Sequence, residues 1–236
     1  DFKNIEVAGP GFLNIKLNDD SIKKLIISIL EEKDQFGSTK SNKKYNIEFV
    51  SANPTGPMHV GHCRGAIFGD VLGNLLKFNG NSVTKEYYIN DYGNQIKNFT
   101  KSVFLRIREI KYNEKFINKK DLYPGDYIID IAKKIIANNS KFDFKNLESS
   151  IEILNKESLK YTMDMIKSDL LALGIKHDLF ISETDIVEQN LVDKSVNFLK
   201  TKGYVNEGFL NKPKGEENQN WKKTKRLIFK STIFGD

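Results

Sequence analysis

The chain has 236 residues, 39% hydrophobic and 29% charged, with a formal net charge of +6 and a pI near 9.1. That length supports one large domain or slightly more around a sizeable core, and the composition excludes a disordered or fibrous chain. No apolar run approaches the roughly 20 residues of a membrane span, and the modest, dispersed positive excess permits a polyanionic partner without requiring one.

Taken in chain order, Phe2 to Leu17 alternates apolar positions around Gly9-Pro10-Gly11, which predicts a turn and then a short strand over Phe12 to Leu17. Asp20 and Ser21 precede a stripe of Ile22, Leu25, Ile26, Ile29 and Leu30, the spacing of a helix ending near Gly37. Polar Ser38 to Lys44 reads as a linker, and Tyr45 to Val50 as a buried strand. A Pro- and Gly-rich loop from Ala52 to Pro57 leads into a helix over about His59 to Phe78, with Ile67, Val71, Leu75 and Leu76 on one side. Val83 to Ile89 is a second strand and Tyr92 to Ile110 a second helix of the same part. Strand, loop, helix, strand is the opening of a parallel α/β sheet.

Further along, Tyr123-Pro-Gly-Asp126 marks a turn before a helix over Tyr127 to Asn138. Ile151 to Leu173 predicts a long helix whose stripe of Tyr161, Met165, Leu170 and Leu173 belongs to the core. Asp178 to Ser182 resembles a third sheet strand, Val187 to Lys202 a helix stopped by Gly203, and Tyr204 to Leu210 a small hairpin. The polar loop Lys212 to Thr224 contains Trp221, read as packing locally rather than stacking on RNA, and a strand-like Leu227 to Lys230 comes after it. The chain begins without methionine and stops soon after that run, so an incomplete polypeptide is expected.

The junction at residues 48 to 65 concentrates the unusual chemistry. Glu48 sits in an apolar strand, where an unpaired carboxylate is costly. His59 and His62 lie three apart at a helix start and would share a face. Gly56 and Gly61 remove side chains where a ligand must approach the backbone. A helix N-terminus at the carboxyl edge of a parallel sheet suits a phosphate. Such a site suits adenylation, in which a carboxylate attacks the α-phosphate of ATP and pyrophosphate leaves. Imidazoles there can donate hydrogen bonds to the growing negative charge.

His59-Val-Gly-His62 resembles the HIGH signature of class I aminoacyl-tRNA synthetases. The longer strings Glu48 to Asp70, Glu86-Tyr-Tyr-Ile-Asn-Asp-Tyr-Gly-Asn-Gln95, Tyr123 to Tyr127, Met165 to Glu183 and Phe229 to Asp236 resemble bacterial-type arginyl-tRNA synthetases in particular. Val7 to Asn14 is similar to the end of that family's N-terminal tRNA-contacting domain. The resemblance implies an α/β fold: the first half of a Rossmann-like parallel sheet of the HIGH superfamily, with a mostly helical insertion. It divides the chain into an N-terminal tail at 1–19, a linker helix and loop at 20–44, and an incomplete catalytic domain at 45–236 with insertions at about 112–160 and 186–226. It implies an arginine–tRNA ligase that uses ATP, with Mg2+ as the nucleotide's counter-ion and no structural metal. The partners it implies are arginine and tRNA(Arg), for a cytoplasmic monomer without membrane contact.

By the same resemblance, Glu48, Ser51 and Asn53 belong to the amino-acid pocket, where a carboxylate suits the guanidinium and ammonium of arginine. His59, Gly61 and His62 belong to the ATP site, with the two histidines catalytic and His62 also a candidate to touch the amino acid. Asp91 and Gln95 are candidate pocket wall. The family's KMSK-type lysine loop is not found, since Lys222-Lys-Thr-Lys225 lacks its pattern, and this segment alone is expected to be inactive. Competing readings are a nucleotidylyltransferase with the same helix start, against which the long 111–175 stretch argues, and a non-catalytic RNA-binding relative. The structural readings are Cys63 as a buried small residue, fitting a reducing compartment, and His177 as a strand-entry residue. The lysines of 111–120 read as a solvated face.

Overall fold

The computed structural model describes residues 2–210 and 223–235. Trp221, Lys222 and nearly all of the Lys212 to Thr224 loop lie outside them. The chain divides into two compact units. Asp1–Val50, Val60–Glu86 and Leu170–Leu179 form the first, and Ser51–His59, Tyr87–Asp169 and Phe180–Asp236 form the second.

The first unit opens with an antiparallel hairpin, β1 (Phe2–Ala8) and β2 (Phe12–Leu17), closed in register at Ala8 and Phe12. Gly9 and Gly11 at its turn have φ of +57° and +90°, which a side chain would strain. Helix α1 (Asp19–Glu32) carries Asp19 and Asp20 in its first turn, where carboxylates complement the helix dipole, and buries none of its residues. Strand β3 (Lys44–Glu48) runs parallel to β4 (Ser82–Ile89), in register from Lys44–Ser82 to Glu48–Glu86. With β5 (Leu179–Ser182) they make a sheet in the order β3–β4–β5. As the edge of that sheet, β3 is mostly exposed and stops at Glu48, so the buried strand expected over Tyr45 to Val50 is corrected. Phe49, just beyond it, is buried.

Helix α2 (Val60–Phe78) joins β3 to β4, and its buried residues are Ala66, Gly69 and Gly73. Their spacing of three and four puts them on one face, and their size permits close approach. A Cβ on Gly69 would lie 2.2 Å from Cγ of Phe49. Lys85 of β4 is buried as well, its ammonium 2.6 Å from Asp70 and 2.8 Å from Asn74 of α2. Asp178 continues the pairing by accepting from the Lys85 N–H and donating to its carbonyl, each at 2.8 Å.

The second unit is centred on α3 (Asn94–Tyr112), α4 (Asp126–Asn138) and most of α5 (Leu147–Ala172). Phe99, Val103 and Ile107 of α3 pack with Ile128, Ile131, Ala132 and Ile135 of α4, with Phe144, and with Leu154 of α5. Asn113 ends α3 in the left-handed conformation that asparagine tolerates. The core face of α5 runs through Leu154, Ser158, Thr162, Met163, Ile166 and Leu170; Leu173, expected in the core, is 42% exposed beyond the helix end.

Where one helix was expected over Val187 to Lys202 there are two, α6 (Glu183–Glu188) and α7 (Leu191–Thr201). Asn190 breaks them with φ +56°, and the Ser182 side chain caps α6 by accepting from the Asp185 N–H. The hairpin expected within Tyr204 to Leu210 is instead a long-range pair. β6 (Val205–Phe209) lies antiparallel to β7 (Lys225–Phe229), from Val205–Phe229 to Phe209–Lys225.

Candidate functional site

The Ser51–His59 segment of the second unit begins in strained backbone. Val50 and Ser51 have φ of +68° and +41°, which is rare for any side chain and most unfavourable for a β-branched one. Hydrogen bonds fix the rest of the segment. The Ser51 hydroxyl oxygen accepts from the Tyr88 N–H at 3.1 Å. The carbonyls of Ala52, Pro54 and Thr55 accept from the hydroxyls of Tyr87 at 2.8 Å, Thr162 at 2.9 Å and Tyr127 at 2.7 Å. The Met58 N–H donates to Asp169 at 3.3 Å. Burial pushes the Tyr87 phenol well above its ordinary pKa, and burial with Tyr123 nearby pushes Tyr127 up to about 12. Both remain donors at neutral pH.

Asn53 lies among these carbonyls with an exposed side chain. Its amide donates to the Gln95 side chain at 2.7 Å and its oxygen accepts from Asn90 at 3.1 Å, so two residues expected near one pocket, Asn53 and Gln95, are in contact. Asp91, expected as a candidate for the pocket wall, is engaged by Ser182 and Thr184. It accepts from the Ser182 hydroxyl at 2.7 Å and the Thr184 N–H at 2.9 Å, while its carbonyl accepts from the Thr184 hydroxyl at 3.2 Å. Its carboxylate therefore ties the end of β4 to the start of α6. Asp91 also borders a cleft of about 470 Å³ with Tyr92, Asn94, Lys97, Asn155 and Thr184.

In the first unit, Glu48 is the last residue of β3 and is exposed rather than enclosed in an apolar strand. Gly61 is exposed and His62 half-buried in the first turn of α2, while His59, in the second unit, is exposed and immediately precedes that helix. Glu48, Gly61 and His62 thus share one compact unit, and Ser51, Asn53, His59, Asp91 and Gln95 share the other. His177 is structural: its ring packs at 4.2 Å on Phe49 with a ring nitrogen 3.3 Å from the Phe49 carbonyl, and burial first, then Lys85, lowers its proton affinity. Among the described residues no group of three or more His, Cys, Asp or Glu side chains could share a metal ion, and no helix is long and apolar enough to cross a membrane.

Sequence reasoning missed Asn90, Tyr87, Tyr127 and Thr162 as parts of this arrangement. Three of them fall in strings already singled out, but a hydroxyl meeting a carbonyl 72 or 108 residues away leaves no spacing signal. Thr162 left no signal at all.

Residues 25–209 match the family described as tRNA synthetases class I (R), catalytic domain. An arginine–tRNA ligase of Pelagibacter ubique (strain HTCC1062) is 53% identical over 237 residues, an alignment covering 99% of this chain and 41% of that protein. The arginine–tRNA ligase of Ehrlichia ruminantium (strain Welgevonden) is 46% identical over 239 residues, covering 100% and 41%. The chain therefore spans about 41% of the length of these curated relatives. Among solved structures, a Campylobacter jejuni chain described as an arginyl-tRNA synthetase superposes with a TM-score of 0.69 at 31% identity, over 90% of this chain and 46% of that one. The Thermus thermophilus arginyl-tRNA synthetase shares the fold, with a TM-score of 0.53 at 17% identity over 98% and 39%.

Proposed function

The chain belongs to the class I tRNA synthetases of the arginyl (R) type, within their catalytic domain, and on that premise we propose that it serves as part of an arginine–tRNA ligase. The reaction has two steps. The carboxylate of arginine attacks the α-phosphorus of ATP and expels pyrophosphate, and a hydroxyl at the 3′ end of tRNA(Arg) then attacks the arginyl carbonyl and expels AMP. Mg2+ enters with the nucleotide and neutralises charge on its phosphates. The working protein acts as a cytoplasmic monomer.

In this reading Glu48, Ser51 and Asn53 receive the amino acid. Arginine brings two cationic groups, and the exposed Glu48 carboxylate and Asn53 carbonyl are the acceptors such groups require. His59 and His62 donate hydrogen bonds to phosphate oxygens as their charge grows, and Gly61 leaves room for the nucleotide. Gln95 serves by holding Asn53, and Asp91 by holding the start of α6. The observation that carries the reading is the Asn53 amide, exposed yet already oriented by Gln95 and Asn90. A polar group fixed in advance loses little entropy when a ligand binds.

The test is amino-acid-dependent exchange of pyrophosphate into ATP, with and without tRNA, by the protein at the length of its curated relatives. Arginine is expected to give the strongest exchange, and stronger exchange with any other amino acid would overturn the proposal. Asn53→Ala is expected to raise the KM for arginine about tenfold or more, the loss of a hydrogen bond to a charged group. His62→Ala is expected to lower turnover ~10²-fold, as removal of an oriented transition-state donor does.

A further inference from the structure

We propose that Tyr127 and Thr162 are positioning residues, whose hydroxyls reach from α4 and α5 to lock the 51–58 segment in the conformation that presents Asn53. The inference rests on the reading of Asn53 as part of the amino-acid pocket, but its structural half stands independently.

Asn53 is flanked by the clamped carbonyls. Ala52 precedes it, Pro54 and Thr55 come after it, and each of the three accepts from a hydroxyl on a different element: Tyr87 on β4, Thr162 on α5, Tyr127 on α4. Loop carbonyls ordinarily turn to water. Three in four consecutive residues bonded to side chains from three elements mark a segment whose path is imposed from outside. Strain gives the reason. Left-handed φ at Val50 and Ser51 persists only where the surroundings over-determine it, and within the segment the Thr55 N–H donates to the Asn53 carbonyl at 2.7 Å.

Tyr127 has the firmer hold. Its ring lies against Gly56, where a Cβ would sit 3.0 Å from the phenol oxygen, and against Gly125, where a Cβ would sit 2.5 Å from Cε1. Glycine at both positions lets the ring lie between the turn that starts α4 and the loop it holds. Burial keeps the phenol protonated, so the donor is constant across the working pH range. The Thr162 proton also has the Ser158 and Leu159 carbonyls within reach, at 2.9 and 3.1 Å, so its grip on Pro54 is shared and weaker. Neither side chain needs to touch a reacting group. They act through Asn53 by raising the fraction of molecules in which the pocket is formed, and apparent affinity scales with that fraction.

Tyr127→Phe keeps the ring and removes the donor, and Thr162→Val does the same for threonine. In the protein at the length of its relatives, Tyr127→Phe is expected to raise the KM for arginine severalfold, up to about tenfold where the full worth of one hydrogen bond is lost. Thr162→Val should raise it less, and the KM for ATP should move less than about twofold in either. Without any substrate, Tyr127→Phe should speed amide hydrogen exchange in the 51–58 peptide. If Tyr127→Phe melts earlier but keeps its arginine KM and its 51–58 exchange, the hydroxyl is an ordinary structural bond and the proposal is overturned. Should the wild-type protein show no arginine-dependent exchange of pyrophosphate, the pocket assignment falls. Unaltered hydrogen exchange at 51–58 in Tyr127→Phe would then overturn the clamp as well, and faster exchange would support it.

Discussion

A lysine ammonium inside a sheet loses its hydration, and only close, fully bonded partners offset that cost. Lys85 meets the condition, with its side chain 7% exposed and Asp70 and Asn74 both within hydrogen-bond reach. Lys85→Met would leave the half-buried Asp70 carboxylate without its cation. The expected loss is about 3–5 kcal/mol in urea unfolding, and Lys85→Met with Asp70→Leu should recover most of it. A single variant within about 1 kcal/mol of wild type would show that the pair does not anchor α2 to β4. The sequence placed Lys85 in a strand without signalling its burial, because the partner lies 15 residues upstream on a helix. Asp91 was obscured in the same way. Its partners Ser182 and Thr184 lie 91 and 93 residues further along, a separation that leaves no spacing signal. Asn53 and Gln95 were each singled out in the sequence, but the contact between them, across 42 residues, left no signal there.

Helix α2 shows what periodicity detects and what it overlooks. Of the apolar side read from the sequence, Ile67, Val71 and Leu75 are more than half exposed and Leu76 is half-buried, while the fully packed face is Ala66, Gly69 and Gly73. A hydrophobic stripe announces a face that gains by leaving water. A face of small residues announces close approach, and nothing in a 3.6-residue period distinguishes it from a weak helix. Glycine inside a helix normally lowers stability, so replacing it by alanine should gain up to about 1 kcal/mol where space allows. At Gly65 nothing lies within 4 Å of where an alanine Cβ would sit, and Gly65→Ala should raise the melting temperature. Gly69→Ala brings its Cβ against the Phe49 ring, and overpacking of this kind costs about 1–3 kcal/mol, more than the propensity gain. Thermal unfolding of the two variants should therefore move in opposite directions. A stabilised Gly69→Ala would mean that α2 does not pack on Phe49. Helix ends are legible where a turn residue has one meaning, as at Gly203 after α7. They were misread at Asn190, since asparagine serves in a helix or as a left-handed break.

Across the whole chain, element order was legible because helix and strand periods are distinct and the turns are marked by Gly, Pro and Asn. Pairing was less so. Strands β3 and β4 could be paired from the strand–helix–strand order, whereas β6 and β7 are separated by 15 residues and pair through register, which alternating residues do not specify by themselves. Burial is also unevenly distributed. Helices α3 and α4 contribute fully buried Phe99, Val103, Ile107, Ile128 and Ile135, while the β1–β2 hairpin and α1 bury none of their residues. Local opening costs little where few apolar contacts are lost and approaches the global free energy where many are. Amide exchange on the 236-residue chain should accordingly be slowest through residues 99–107 and 128–135. In β1, β2 and α1 it should be faster by roughly a hundredfold or more, a difference of about 3 kcal/mol in opening. The comparison needs no substrate and does not depend on the proposed activity. Protection of the hairpin equal to that of α3 would mean that its exposed Phe2, Val7 and Phe12 are held by contacts beyond those that residue burial in this fold supplies.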